Sequence, residues 1–373
     1  MNKDKIEKLE EYINKLDEKK NNIFFCVPDV DTPSSSVNEI YFQAKVLSDN
    51  GMSVTILTEK DNGEKSKWVD NEYEELEHLP LTSGKINISP ADILVIPDVL
   101  TNIMEQTKDI PAMRIVSFQS IDYMLNSLVV GSDWSAFGIH NVLANSNIGV
   151  DFLNYYYKRN FVVKKYTVGI PDYFKSEDKI KNPVFSIVGR NSNDISKIVK
   201  LFYAKYPEYS WVAFDPLVTK TEPPQLLERK QFAERLKENF AAIWVDRIST
   251  FGTFPLECMK AKVLPIGYIP EIEPDYFSDH SQEFVDTGLW VNNIYNIPTI
   301  AAELITDFLN DNIDEKKYEL MDKVSGKYNV EQSQTEVLNA FSEFMEERKE
   351  VLVKTKKELE NKEKENNDGK ENN

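Results

Sequence analysis

The sequence AAIWVDRISTFGTFPLECMKAKVLPIG, residues 241–267, carries the clearest structural signal in the chain. It begins with an apolar run over residues 243–245 that is typical of a buried strand, and it ends with a second apolar run over residues 263–266. A loop of Ser, Thr and Gly follows the first run. Pro255 predicts that a helix begins near Phe254, because proline at the first helical position lacks only an N–H group that would be unpaired there. We therefore predict a strand, loop, helix and strand unit of an α/β protein.

Glu257 lies in the first turn of this predicted helix. The free N–H groups and the positive dipole end of a helix behind a strand and a loop suit a phosphate group. A carboxylate does not bind phosphate, but it accepts hydrogen bonds from neutral hydroxyl groups, such as the two vicinal hydroxyls of a nucleotide ribose. The alternative interpretation is structural, because such turns occur in α/β domains generally and a Glu in a first turn complements the helix dipole.

Residues 249–257, STFGTFPLE, followed by CMKA, resemble the donor-site signature of retaining nucleotide-sugar glycosyltransferases of the GT-B fold. That signature reads Glu-Gly-Phe-Gly, four variable residues and Glu-Ala-Met-Ala. In the family the second Glu holds the ribose, and the first contacts the donor sugar or assists its reaction. Ser249 stands where the first Glu is expected. The resemblance implies a donor-binding segment made of Ser249, Thr250, Phe251, Gly252, Thr253 and Glu257.

A second part of the resemblance lies at Gly189 and Arg190, which follow a predicted strand. The family has Gly-Arg at this place, where the Arg grips the donor diphosphate, and a planar guanidinium can bind two phosphate oxygens at once. The family commonly adds a Lys five residues later, but that position is Ile195. Lys197 is the nearest substitute, and a solvated surface lysine is the other interpretation of it. The resemblance thus implies catalytic roles for Arg190, Ser249 and Glu257.

The chain has 373 residues, more than one hydrophobic core usually organises, and its 41% hydrophobic content supports two cores. With the resemblance, this implies an α/β protein of the GT-B fold, in which two facing Rossmann-like, doubly wound domains enclose an inter-domain cleft. The predicted segments are an amphipathic N-terminal helix (1–21), an N-terminal Rossmann-like acceptor domain (22–168), a linker (169–183), a C-terminal Rossmann-like nucleotide-sugar donor domain (184–329), a helix that crosses back to the N-terminal domain (330–352) and a disordered charged tail (353–373).

The N-terminal half departs from the family at the residues that should meet the sugar. Serines occupy residues 34–36, where the family has glycines, and Gln119 falls where many relatives have a His near the reacting sugar. Asp29 and Asp31 have the spacing of paired carboxylates that bind a divalent metal in the other main glycosyltransferase fold. The prolines on both sides of the pair indicate a turn instead, because Asp is common in turns. We therefore predict no metal site.

The net charge of −18 opposes nucleic acid and anionic membranes as general partners, because both are negatively charged. The two cysteines, Cys26 and Cys258, lie in apolar patterns, which predicts core packing in a reducing compartment. Residues 1–22 lack the apolar core of a signal peptide, and no run approaches the roughly 18 apolar residues of a membrane span. We expect a cytoplasmic protein without a transmembrane segment. The apolar face of the N-terminal helix either packs within the chain or binds a protein partner, including a second copy.

The resemblance implies transfer of a sugar from a nucleotide diphosphate-sugar to a carbohydrate, lipid or protein acceptor, with retention of configuration. No cofactor is expected beyond the donor substrate. Acceptor contacts should come from the loops after residues 27 and 118. Two other functions stay open. A catalytically weakened scaffold or regulatory subunit is favoured by Ser249, Gln119 and Ile195 but opposed by the retained Arg190 and Glu257. Another GT-B enzyme, such as a nucleotide-sugar epimerase, would share the donor site.

Overall fold

The computed structural model describes residues 2–30, 32–59, 63–157, 160–176, 181–247, 251–278 and 287–371. Within these ranges the strands are β1 (Asn22–Val27), β2 (Ser53–Thr58), β3 (Glu77–Pro80), β4 (Ile93–Pro97), β5 (Met113–Phe118), β6 (Asn141–Ala144), β7 (Val162–Lys165), β8 (Asn182–Gly189), β9 (Ala213–Asp215), β10 (Asn239–Val245), β11 (Leu264–Tyr268) and β12 (Leu289–Val291). The α-helices are α1 (Asn2–Asp17), α2 (Ser35–Asp49), α3 (Thr101–Gln106), α4 (Ile121–Ser127), α5 (Asn147–Tyr156), α6 (Ser192–Lys205), α7 (Arg229–Lys237), α8 (Phe254–Lys260), α9 (Asp275–Ser278), α10 (Ile297–Leu309), α11 (Lys316–Ser325) and α12 (Val330–Glu371).

The strands form two parallel sheets, one in each half of the chain. The first sheet has the order β3-β2-β1-β4-β5-β6-β7, and the second has the order β12-β11-β10-β8-β9. Strands covered on both faces read as continuous apolar runs, as β1 (NIFFCV) and β10 (NFAAIWV) do. Strands that alternate with helices and grow outward in both directions define a doubly wound α/β domain. The prediction of two such domains is confirmed.

Both faces of the first sheet are buried. On one face, the ring of Phe25 packs against Phe341 of α12 with a centroid distance of 5.8 Å. On the other, Phe118 packs edge-on against Trp134 at 5.2 Å. Burial of aromatic rings of this size is a large part of what stabilises such a core. Cys26 and Cys258 are buried free thiols, which confirms the prediction of core packing.

The crossing between the halves of the chain is tied to the start of α12. The backbone N–H of Ile170 donates to the carbonyl oxygen of Tyr328 at 2.8 Å. A Cβ atom on Gly169 would lie 2.8 Å from the Cα of Val330, so a side chain at this position would clash with backbone. Helix α12 then runs back along α1 and α2, at the N-terminal domain.

The C-terminal segment is helical where the sequence predicted a disordered tail over 353–373. Helix α12 continues to Glu371. Its partner is α1, which packs along it and whose Glu10 lies 3.3 Å from Lys356. Leu352, the last residue of the predicted returning helix, is buried, and Leu359 within the predicted tail is partly buried. The apolar face of α1 therefore packs within the chain.

None of the described helices combines the length and the apolar content that a membrane crossing requires.

Candidate functional site

Each sheet has one point where the order of its strands changes direction. It lies between β1 and β4 in the first sheet and between β8 and β10 in the second. Ligands of doubly wound domains bind outside the carboxyl ends of the strands at such points. The two carboxyl edges meet, because the guanidinium of Arg190 after β8 lies 5.3 Å from the ring centroid of Tyr123 on α4. The candidate site is therefore the cleft between the domains.

Arg190 lies at the switch point of the second sheet, in a position that Gly189 makes possible. A Cβ atom on Gly189 would lie 2.4 Å from the carbonyl oxygen of Val245, so β8 can end this close to β10 only with glycine there. The Arg190 Nε atom lies 3.1 Å from Asp246 Oδ2, and the arginine side chain is 48% exposed. Arg190 is thus held by a carboxylate while one face of its guanidinium still reaches solvent.

A second arginine follows directly after Asp246. The Nε atom of Arg247 donates to Asp194 Oδ2 at 3.0 Å, and its guanidinium lies 5.8 Å from the ring centroid of Tyr268. The side chain of Arg247 is 49% exposed, whereas Asp194 is buried. Lys197 is 3.6 Å from the same carboxylate, on the surface of α6. The sequence analysis assigned no role to Arg247. Its place just after an apolar strand could have indicated one, because ligands of doubly wound domains bind at the carboxyl ends of the strands.

Helix α8 begins at Phe254, as Pro255 predicts. Phe251 is buried and packs edge-on against Tyr276 at 5.6 Å, and the Tyr276 hydroxyl donates to the carbonyl oxygen of Gly252. The end of the predicted donor loop is therefore fixed by packing. Ser249 and Thr250 lie outside the described residues.

Glu257 is buried in an ion pair. Its Oε1 atom accepts hydrogen bonds from Arg229 Nη2 at 2.7 Å and from Thr253 Oγ1 at 2.9 Å. Within the described residues, both donors therefore use the same oxygen of the carboxylate, Oε1. Arg229 is itself buried and lies 5.7 Å from the ring centroid of Phe174. No local pattern marks Arg229, which is 28 residues from Glu257 in the chain.

The N-terminal domain contributes Glu39 of α2 to the surroundings of Arg229. Burial raises the pKa of Glu39 to about 7, and the positive charge of Arg229 and the hydrogen bond from Tyr166 lower it in part. Tyr166 also accepts a hydrogen bond from Gln43 at 2.9 Å. Arg229 therefore faces carboxylates of both domains.

A further polar network lines the carboxyl edge of the first sheet. Asp98, after β4, accepts hydrogen bonds from the N–H groups of Gln119 and Ser120 at 2.8 and 2.9 Å. Burial raises the pKa of Asp98 to about 7. Gln119, which falls at the family's His, is buried and accepts a hydrogen bond from Asn145 at 2.9 Å while it donates to Ser117 at 2.8 Å. This side of the cleft is preorganised and polar.

The carboxylates considered for a metal are not both described. Asp31 lies outside the described residues, and the Asp29 N–H group is 3.4 Å from Glu59 Oε2. Among the described residues, no group of three or more His, Cys, Asp or Glu side chains has a geometry that could hold a metal ion.

Two facing doubly wound domains and a C-terminal helix that returns to the first domain define the GT-B fold. Solved structures with this arrangement include sucrose-phosphate synthase from Thermosynechococcus elongatus (10% identical, TM-score 0.57, 87% of this chain and 99% of that chain covered) and the pneumococcal O-GlcNAc transferase GtfA in complex with UDP and GlcNAc (9%, 0.58, 88% and 99%). A third is an alpha-glucosyltransferase in complex with UDP and a 13-mer DNA containing a HMU base (9%, 0.56, 86% and 98%). No protein-family model matches the chain, and no curated protein matches it. At these identities the similarity confirms the predicted fold.

Proposed function

We propose that the chain transfers a sugar from a nucleoside diphosphate-sugar to an acceptor hydroxyl in the cleft between the domains. The register of β8 and β10, in which Gly189 pairs with Val245, is the observation that carries the proposal. It brings Arg190 and Arg247 to adjacent strand ends at the switch point of the second sheet. The structural neighbours that hold UDP share this fold, which supports the same donor class here.

The two arginines suit a diphosphate. Each pairs through one guanidinium nitrogen with a carboxylate, Asp246 or Asp194, which fixes its direction, and each is about half exposed. A guanidinium can donate to two phosphate oxygens at once, and charge-assisted bonds of this kind are the stronger ones. In the reaction the acceptor oxygen bonds to the anomeric carbon, the bond from that carbon to the diphosphate oxygen breaks, and the departing diphosphate takes up the hydroxyl proton. Arg190 and Arg247 stabilise the charge that develops on the leaving group.

Glu257 is the residue proposed to accept hydrogen bonds from the ribose hydroxyls of the donor. Its Oε1 atom is used by Arg229 and Thr253, so the ribose hydroxyls would bind Oε2. Retention of configuration and independence of metal are further parts of the proposal, and they rest on the resemblance.

The test is calorimetric titration of the full chain with UDP, GDP and ADP. Hydrogen bonds to charged groups contribute about 1.5–3 kcal/mol, so Arg190→Ala and Arg247→Ala should each weaken nucleotide binding roughly ten- to a hundredfold. Lys200→Ala is the matched control, since this lysine is exposed further along the same helix α6, and it should bind as the wild type does. If the wild type binds no nucleotide at millimolar concentration, or both arginine variants bind normally, the donor-site assignment fails.

The second candidate function is a scaffold that keeps the fold without turnover. The buried ion pair of Glu257 and Arg229 favours the scaffold function, because the carboxylate that would bind the ribose is then partly occupied by a protein side chain. Ser249→Glu, which restores the family residue, separates the two in a donor-hydrolysis assay. A transferase should keep or gain turnover, and a scaffold should gain none.

A further inference from the structure

The N-terminus of α5, in the first domain, is occupied by a carboxylate of the second domain. The Asn147 N–H group donates to Asp275 Oδ2 at 2.6 Å, and the Ile148 N–H group donates to Asp275 Oδ1 at 3.0 Å. The following N–H group of the helix, that of Gly149, donates to Ser146 Oγ at 3.2 Å. The start of a helix favours negative charge because of its free N–H groups and dipole. The first domain thus presents an anion site that Asp275 fills.

A cavity of about 160 Å³ adjoins this contact and is lined by both domains. The residues of its lining that matter here are Asn145, Asn147, Lys165, Phe251, Asp275 and Lys327. Phe251 belongs to the donor signature, so the cavity touches the donor side of the cleft. Two lysines give it a positive character. Lys165 acts electrostatically on Asp275 and on Glu336, the two carboxylates it faces.

Asn145 supplies the second, independent observation. Its side chain is 5% exposed, and its Nδ2 atom donates to Gln119. Its Oδ1 atom has no hydrogen-bond partner among the described residues. A buried hydrogen-bond acceptor without a partner has already lost its hydration. A ligand hydroxyl that donates to this atom therefore adds a hydrogen bond without a further desolvation cost for the atom.

We propose that this cavity binds the anionic end of the acceptor, namely the phosphate of a sugar phosphate, with the phosphate at the N-terminus of α5 beside Lys165 and a sugar hydroxyl on Asn145. Asp275 stands in for the phosphate and leaves when the acceptor binds. This inference rests on the proposed function and names the substrate class of the same site.

The experiment titrates the full chain with glucose 6-phosphate, glucose and inorganic phosphate. Asp275→Ala removes the competing carboxylate and should bind glucose 6-phosphate at least tenfold more tightly than the wild type. Lys165→Met in the Asp275→Ala background should reverse this gain tenfold or more. Lys164→Met is the matched control, because the neighbouring lysine carries the same charge but pairs with Glu343 and Glu347 of α12 at 2.6 and 2.7 Å, and it should have no effect on binding.

Three outcomes overturn the proposal: no binding of glucose 6-phosphate to Asp275→Ala, equal loss in the two lysine variants, or binding of glucose or inorganic phosphate as tight as that of glucose 6-phosphate. Circular dichroism of each variant excludes unfolding as the cause. Nucleotide titration in the same variants keeps the failures distinct. If UDP, GDP or ADP still binds while glucose 6-phosphate does not, only the acceptor inference fails.

Discussion

The buried pair of Arg229 and Glu257 predicts a large energetic coupling that a double-mutant cycle can measure. The side chains are 9% and 7% exposed and are joined at 2.7 Å. Removing one member of a buried pair costs about 3–5 kcal/mol, because the other charge remains buried without its partner. Replacing both with apolar residues is often neutral. Arg229→Met should therefore destabilise the chain by roughly 3–5 kcal/mol, and the double variant with Glu257→Met should recover most of that loss.

The assay is urea unfolding of wild type, both single variants and the double variant, followed by tryptophan fluorescence and circular dichroism. An exposed ion pair beside it provides the control. Lys230, the next residue, lies 2.7 Å from Glu72 with side chains 49% and 39% exposed, so Lys230→Met should cost at most about 1 kcal/mol. If the losses of Arg229→Met and Glu257→Met simply add in the double variant, the pair is not coupled and its description as a buried ion pair in solution is wrong.

Three further predictions concern pH, the C-terminal helix and metal. Burial raises the pKa of Glu39 to about 7, so the folded state keeps a proton that the unfolded state loses near pH 4.5. Glu39 should therefore contribute roughly 3 kcal/mol to a fall in stability as pH rises through this interval, and Glu39→Gln should remove that part of the fall, but not the part due to Asp98, in urea titrations at pH 5 and 8. Deleting residues 358–373 should move the melting temperature by less than about 2 °C, whereas a deletion that includes the buried Leu352 should lower it by several degrees in calorimetry. Donor binding should survive EDTA and Asp29→Asn, and loss on chelation that Mg²⁺ restores would contradict metal independence.

The strands that the sequence predicted well are those buried on both faces. β10 is a fully buried strand that ends at Val245, where its predicted run ends, and β11 begins at Leu264, one residue after the start of its predicted run. β3 (EHLP) was not predicted, because an edge strand with three polar or cyclic residues gives no hydrophobic signal. The position of β7 is set by its pairing with β6, in which Asn141 pairs with Val162, because its own side chains are partly exposed and give no clear hydrophobic pattern.

The local sequence could predict the positions of Arg190 and of the start of α8. Gly189 and Pro255 each determine the conformation of the adjacent backbone, so their effects do not depend on distant residues. It could not find Arg229, which reaches Glu257 only through the packing of α7 against α8. The same limit applies to Asp275, which meets the N-terminus of α5 from more than a hundred residues away. Contacts between the domains depend on how the two domains dock, and the hydrophobic periodicity of either domain's sequence does not encode that docking.

Arg229 connects the proposed donor site to the first domain. Its guanidinium is bound to Glu257 of the second domain and acts electrostatically on Glu39 of the first. In the proposed donor complex, ribose hydroxyls that donate to Glu257 Oε2 would share the negative charge of that carboxylate with Arg229 on Oε1. The proposal therefore predicts that Arg229 interacts more strongly with Glu39 when the nucleotide is bound. The ionised form of Glu39 is then favoured, and its pKa falls. Because linkage is reciprocal, deprotonation of Glu39 must strengthen nucleotide binding by the same factor. Nucleotide affinity should therefore rise more steeply between pH 6 and 8 in the wild type than in Glu39→Gln, in which the nucleotide's own terminal phosphate still titrates. Equal pH profiles for the two proteins would show that Arg229 does not couple the domains.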